Sequence, residues 1–419
     1  MTSVQNLRLL LSGNNLLRGF LFFCLIAFLA GCTPRVRIIE TDPDPVKTPT
    51  ETIEEDKEEV LDRREVQNIA LLLPFQLNHS TGTQPTQNDI QRATLALDFF
   101  QGFEMGLEKS AGTGSHFKLE VLDSRDNEQE VSKLAGSASV KDAVLIVGPI
   151  YPKEIKAFAQ SSNIDPTKVL QVSPLAATMP SEYNLPNLIS ITSPITTHVK
   201  ALAKYLSGIY RSGDVVILYE SDESASQQFL PNLKSELLLL NRNIPVHEVD
   251  NEERLMERVR LNGNNLVVCG STNRFRLVSI FNQLHELQGI SGHRVQLFGH
   301  PNWARMNFEE SDRLESLQTV ISSSYFIDNR LTSVRDFNKQ YLDTYEVAAT
   351  EFAYKGYDTG RYFGELLARY GKDYHKHLLE SSYQGLHNDF EFEFNPRWGY
   401  VNNAIHFLKY TNGRFVRSN

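Results

Sequence analysis

From Val66 onward, short apolar runs alternate with helical patterns, and that alternation restricts the fold more than any other feature of the chain. The runs are residues 69–73, 117–122, 143–147, 169–172, 215–219, 266–269, 295–298 and 319–322. They are continuous and β-rich, which suits a parallel sheet covered on both faces. Helical patterns lie between them at 93–107, 153–162, 196–207, 226–240, 251–261, 274–287, 333–345 and 357–370. The first places Leu97, Phe100, Phe103 and Leu107 on one face, and Tyr357-Asp358 reads as the start of the last. Residues 81–91 are polar and turn-rich, so a long loop is expected there. Such alternation predicts an α/β fold with doubly wound, mostly parallel sheets, and the length asks for two lobes. The C-terminus breaks the pattern. Residues 389–394 alternate strictly and turn at Asn395-Pro396, while 404–410 and 414–416 flank Asn412-Gly413, a hairpin signal. Antiparallel strands at the edge of one lobe are expected.

The N-terminus carries a different kind of information. Arg8 and Arg18 precede an apolar run at 20–30 that is too short to span a bilayer and ends in Leu29-Ala30-Gly31-Cys32. The pattern resembles the bacterial lipobox. It implies that residues 1–31 are a lipoprotein signal peptide and that Cys32 becomes the lipidated N-terminus. Several acyl chains on one cysteine anchor a protein stably. Thr33 stands where an Asp favours inner-membrane retention in Gram-negative lipoproteins, so the resemblance implies an outer-membrane anchor facing the periplasm. Residues 32–65 are expected to be a disordered acidic tether. Within them, 40–65 hold eleven acidic and four basic residues, −7 of the formal net charge of −9. The remainder is nearly neutral and has no basic block, which argues against nucleic-acid partners. Removing Cys24 with the signal and lipidating Cys32 leaves Cys269 without a disulfide partner. Its apolar run reads as a buried strand.

No pattern of residues supplies a nucleophile, a base and an orienting group together. Gly270-Ser271 lacks the second glycine of a nucleophile elbow. His375-Lys376-His377 lacks the spacing and glutamate of a zinc helix. His198, His247, His285 and His293 are scattered, and there is no P-loop or dinucleotide fingerprint. The expectation is binding rather than catalysis, with no cofactor and no metal.

Five stretches carry a family likeness: Ile-Ala-Leu-Leu-Leu-Pro-Phe (69–75), Leu-Asp-Phe-Phe-Gln-Gly-Phe-Glu-Met-Gly-Leu (97–107), Val-Gly-Pro-Ile-Tyr-Pro (147–152), Val-Ser-Pro-Leu-Ala (172–176) and Phe-Ala-Tyr-Lys-Gly-Tyr-Asp-Thr (352–359). With Gly399-Tyr-Val-Asn near the C-terminus, they resemble the type I periplasmic-binding-protein superfamily over nearly all of 66–416. The nearest branches are Bacteroidetes lipoproteins and LysM-linked proteins described as amino-acid ABC transporter substrate-binding proteins, and the C-terminal domain of penicillin-binding-protein activators. The resemblance implies two lobes joined by three crossovers, near Ser193, Ile327 and Ser381. Lobe 1 is then 66–192 with a return at 328–380, and lobe 2 is 193–327 with C-terminal strands at 381–419. It further implies a small polar ligand, amino-acid-, peptide- or cell-wall-fragment-like, held between the lobes. The partner is a transport permease or, alternatively, a peptidoglycan synthase that the protein regulates.

Ligands of open α/β sheets sit beyond the strand C-termini. The candidate lining is therefore Phe75, Tyr151, Ser173, Leu175, Ala176, Tyr219, Ser221, Ser271, Asn273, His300, Trp303 and Tyr325. The chain departs from the amino-acid-binding pattern. Pro152 has no N–H to donate. Ala177 stands where a threonine is expected, and Glu220-Ser221-Asp222-Glu223 replaces a tyrosine–glycine pair. Each candidate also has a simpler role open to it: Ser173 and Ser271 as helix caps, Tyr151, Trp303 and Tyr325 as hinge packing, His300 as a loop donor.

Overall fold

The computed structural model describes residues 36–39 (as backbone), 66–77, 84–112 and 115–417. The signal peptide, Cys32 and the acidic stretch 40–65 lie outside them. Two sheets organise the chain. The first contains β1 (Val36–Ile39), β2 (Val66–Leu73), β3 (His116–Asp123), β4 (Leu145–Val147), β5 (Leu170–Ser173) and β6 (Leu188–Ser190). The second contains β7 (Val215–Tyr219), β8 (Val246–Val249), β9 (Asn264–Cys269), β10 (Arg294–Gly299) and β11 (Val320–Ser323). The chain then returns to the first sheet with β12 (Phe392–Asn395) and β13 (Gly399–Asn402) and ends in the second with β14 (His406–Thr411) and β15 (Arg414–Arg417). The strand orders are β1-β3-β2-β4-β5-β6-β13-β12 and β15-β14-β11-β10-β9-β7-β8. The central strands are parallel and buried on both faces, as their continuous apolar runs require.

Helices cover both faces: α1 (Gln87–Ala111), α2 (Glu128–Ala135), α3 (Ala138–Lys141) and α4 (Pro152–Ser161) in lobe 1; α5 (Ile195–Ile209), α6 (Ser224–Leu240), α7 (Glu252–Arg258), α8 (Arg274–Gly289) and α9 (Ser311–Ser316) in lobe 2; then α10 (Thr332–Tyr345) and α11 (Glu351–Tyr370), back on lobe 1. Among the described residues no helix is long and apolar enough to cross a membrane. Cys269 is fully buried in β9, and burial pushes its thiol up to about 12.

Five expectations need correction. The third crossover is not near Ser381. Strand β13 pairs in parallel with β6, Tyr400 opposite Ile189, so the chain stays in lobe 1 until residues 403–405. An alternating hairpin reads the same whichever sheet edge it joins. Here Phe390 and Phe392 pack on Tyr362 of α11 and place it in lobe 1. Second, the tether does not begin directly after Cys32, because Val36–Ile39 pairs antiparallel with β3. Third, Tyr357-Asp358 lies inside α11, which starts at Glu351 with Thr350 as its cap. Fourth, Leu97 is 46% exposed while Phe99, Phe103 and Leu107 are fully buried. The seam with α11 turns α1 so that Leu97 faces outward. The loop after β2 is also shorter than expected, because Thr86 and Asp89 form a capping box that starts α1 at Gln87.

That seam is closed by glycines. A Cβ on Gly102 would lie 1.8 Å from the Ala353 carbonyl oxygen, and one on Gly356 2.1 Å from that of Phe99. Only backbone can approach backbone this closely. The Asn412-Gly413 hairpin joins β14 and β15 with both φ angles positive, 52° and 75°, as a tight hairpin turn requires.

Candidate functional site

The strand C-termini of each lobe meet the three crossovers, at 191–194, 324–331 and 403–405. Side-chain and main-chain hydrogen bonds knit these crossovers and their neighbours together. Ser193 Oγ donates to the Asn402 carbonyl at 2.8 Å, and Asn402 Nδ2 to that of Ile191 at 3.2 Å. Asn388 Nδ2 donates to the Ser324 carbonyl at 3.0 Å, and the Phe326 N–H to that of His387 at 2.9 Å. Asp358 of α11 anchors the segment from below. It accepts the N–H groups of Leu386, His387 and Asn388 at 2.8–2.9 Å. Burial pushes its pKa up to about 7 against the pull of those donors. Lys355, one turn away, is buried with its Nζ 3.3 Å from Thr192 Oγ1, and burial lowers it to about 8.

In lobe 1, Phe75 packs edge-on against Phe100. Tyr151 precedes α4, with Arg92 over its ring at 5.8 Å. Its N–H is held by Glu154, whose carboxyl burial raises to about 7. Leu175 packs on the main lobe 1 core and Ala176 on a smaller cluster with Ile155. Ser173 is 1% exposed, and its hydroxyl has no partner.

Lobe 2 is arranged differently. Tyr219 turns into the core and donates to Gln283 at 3.0 Å. Trp303 is fully buried, donates from Nε1 to the Ser271 carbonyl at 2.9 Å and covers Gly299. These two candidates hold the lobe together and do not line a cleft. An aromatic ring with a polar tip has the same sequence signature in either place. Asn273 caps α8. His300 Nδ1 accepts the Asn302 N–H at 3.1 Å, and burial lowers this imidazole to about 4. His198 sits in the same core, 3.1 Å from Ser322 Oγ, and burial followed by the His300 charge lowers it to about 3.

Glu223 gathers the strand-end donors of this lobe. Its carboxylate accepts from the hydroxyls of Ser271, Ser221 and Thr272 and from the Thr272 N–H at 2.8 Å. Burial alone would raise its pKa, but these donors bring it below the ordinary value. The chain's own carboxylate thus uses the hydrogen-bond donors that a ligand carboxylate would need. Sequence reading noted Glu223 only as part of an acidic loop. A contact over this sequence distance leaves no local signal.

Tyr325 lines an inter-lobe cavity, whereas Phe75 borders a separate pocket against the start of α1. The inter-lobe space, about 360 Å³, has walls from lobe 2 (Phe308, Tyr410), the second crossover (Phe326) and Glu351 of lobe 1. Arg305 reaches across the lobes to Glu351 at 3.2 Å and lies over the Tyr325 ring at 5.2 Å. The structure therefore groups Ser221 and Ser271 around Glu223, places Tyr325 at the cavity and leaves the lobe 1 candidates apart from both. Arg305, Glu351 and His387 were missed, since each is an ordinary polar residue until the lobes are assembled. Among the described residues no group of His, Cys, Asp and Glu could hold a metal ion.

No family model and no curated protein matches the chain. Solved structures do. A putative branched-chain amino acid ABC transporter protein from Rhodospirillum rubrum superposes with a TM-score of 0.61 at 13% identity, covering 84% of this chain and 100% of that one. An ABC transporter substrate-binding protein from Desulfitobacterium hafniense, in complex with Leu, gives 0.51 at 14%, with 84% and 100% coverage. The C-domain of LpoA (YraM) from Haemophilus influenzae, described as a regulator of PBP1A, gives 0.50 at 13%, with 84% and 99% coverage. These neighbours are binding or regulatory proteins rather than enzymes. At such identities the likeness speaks to architecture, and it agrees with the two sheets and three crossovers: the chain has the type I periplasmic-binding-protein fold.

Proposed function

We propose that this protein is a lipid-anchored, periplasm-facing binding protein that takes a small polar ligand between its lobes. The observation that carries the reading is the cavity walled by both lobes and a crossover, bridged by Arg305 and Glu351. Two lobes on crossover strands can close on a ligand by hinge motion. A free α-amino acid is a poor candidate, because Glu223 already accepts from Ser221, Ser271 and Thr272. Lipidation at Cys32 rests on the Leu29–Cys32 pattern, and the outer-membrane address on Thr33. Native mass spectrometry of the protein purified from its own membranes tests the reading: a co-purifying small molecule supports it, and an empty protein with no thermal shift toward amino acids, peptides or muropeptides overturns it.

The satisfied donors around Glu223 favour a second reading, in which the fold regulates an envelope partner such as a peptidoglycan synthase. Capture from detergent-solubilised membranes separates the two. A wall enzyme in the eluate supports regulation, and a permease supports transport.

A further inference from the structure

We propose that the cavity beneath the second crossover seats a small ligand that presents an N–H or O–H donor to His387 Nε2 while lying against aromatic rings. This deepens the cleft-binding reading above and rests on it.

The donor requirement comes from the hydrogen bonds of the ring. His387 Nδ1 lies 2.5 Å from Asn388 Oδ1, and the Asn388 amide nitrogen donates to the Ser324 carbonyl at 3.0 Å. Asn388 Oδ1 is therefore the acceptor, and Nδ1 carries the ring proton. That leaves Nε2 as a bare acceptor. His387 is 3% exposed, and Nε2 has no partner. Buried polar atoms are nearly always paired, so an orphan beside a cavity marks a place for a partner. Burial lowers the imidazole to about 3, so it stays neutral and accepting at physiological pH.

The other walls define the rest of the ligand. Phe308, Phe326, Tyr410 and Phe415 supply apolar faces, and Glu351 is a second acceptor. Arg414 also lines the cavity and Arg305 pairs with Glu351, so a ligand carboxylate can find a cation there but has nothing to donate to His387 Nε2. A sugar hydroxyl or a protonated amine meets both acceptors productively. The volume of about 360 Å³ is at the small end of ligand pockets.

Access is tied to lobe motion. Tyr325 stacks on His387 at 4.9 Å with the planes 11° apart. Arg305 lies over Tyr325 and bonds Glu351 of the other lobe. Parting the lobes breaks the Arg305–Glu351 contact and frees Tyr325 to uncover the imidazole edge.

The full mature chain, labelled with 15N-histidine, is titrated with N-acetylglucosamine, benzylamine and benzoate while the histidine side-chain nitrogens are followed by NMR. The expected result is that N-acetylglucosamine or benzylamine moves one Nε2 resonance, the one missing in His387→Phe, and that benzoate moves none. Which of the two acts distinguishes a hydroxyl from an ammonium source. His387→Phe keeps the stack and removes the acceptor. Glu351→Gln, on a partly exposed residue, serves if the first variant does not fold. Either should weaken binding at least tenfold. The proposal is overturned if no Nε2 resonance responds, or if both variants bind the probe as the parent does. A ligand that co-purifies equally with parent and variants overturns this seat and leaves cleft binding standing. No bound molecule in any form removes both.

Discussion

The two lobes share a sheet-and-helix plan but bury different sets of shifted ionisable groups. Lobe 1 buries two carboxyls, Glu154 and Asp358, both raised to about 7 by burial, beside one imidazole, His387, lowered to about 3. Lobe 2 buries imidazoles, His198 and His300, lowered to about 3 and 4. Lobe 1 is welded by helices in backbone contact, whereas glycines in lobe 2 helices such as Gly208 have open space around them. Lobe 2 satisfies its strand-end donors internally through Glu223, while lobe 1 leaves the Ser173 hydroxyl unpaired. One architecture therefore holds two differently built halves, and each contrast can be tested by perturbing one half alone.

The largest effect is expected at the seam. Gly102→Ala forces a methyl into the Ala353 carbonyl and should cost about 3 kcal/mol or more by chemical unfolding. Gly208→Ala, with nothing near its Cβ, should stabilise by up to about 1 kcal/mol. Equal effects would remove the contrast in helix packing.

Next comes the internal carboxylate. Glu223→Ala leaves Ser271 and the Thr272 N–H without their acceptor and should cost about 1–3 kcal/mol. It should also create a melting-temperature response to acetate that the parent lacks. A variant indifferent to acetate would mean that these donors are not a usable anion pocket.

Acid should move the lobes in opposite directions. His198 and His300 have folded values below the ordinary 6.5 of an imidazole, so the unfolded chain takes up protons first and lobe 2 loses stability as pH falls from 6.5 toward 4. For Glu154 and Asp358 the folded values lie above the ordinary carboxyl values of 4.5 and 3.8. There the native state takes up protons first, so the two carboxyls together stabilise lobe 1 from pH 7 down to about 4, against the opposing loss from the single imidazole His387. Hydrogen exchange across that window should show protection falling around β7, β10 and α5 while it rises around α4 and α11. A parallel drift in both lobes would refute the assignment.

The smallest effect belongs to the bridge between the halves. Arg305→Ala should cost less than about 1 kcal/mol, since the pair with Glu351 is substantially exposed. It should nonetheless widen the inter-lobe distance distribution measured with paired spin labels.

The central strands were legible in the sequence because burial on both faces writes a continuous apolar run. Strand β8, Val-His-Glu-Val, was missed, since an outer strand with polar positions looks like loop. The hairpin at Asn412-Gly413 was legible from its turn chemistry alone. The crossover after β13 was not, because the choice of sheet depends on distant rings such as Tyr362. At the site, the loops were found from fold logic, but side-chain direction was not: Tyr219 and Trp303 point into the core, and Glu223 and His387 acquire meaning only from residues far away in sequence.

Strand β1 bears on how the molecule is moored. It runs antiparallel to β3, from Val36 opposite Glu120 to Ile39 opposite Phe117, while β2 starts with Val66 opposite His116 on the other flank of β3. The acidic stretch 40–65 therefore departs and returns on the same side, about 10 Å apart across one strand, at the end of the sheet remote from the cleft. Only Thr33-Pro34-Arg35 separates Cys32 from the sheet edge, a reach of about 14 Å. Given a lipid on Cys32, lobe 1 rides on a short leash with its cleft-side rim toward the bilayer, and the acidic stretch does not lengthen it. A flexible insert after Arg35 should then increase the distance from headgroup-labelled lipid to a probe on Lys118→Cys, and the same insert after Thr50 should leave it unchanged. Equal lengthening would restore the long tether.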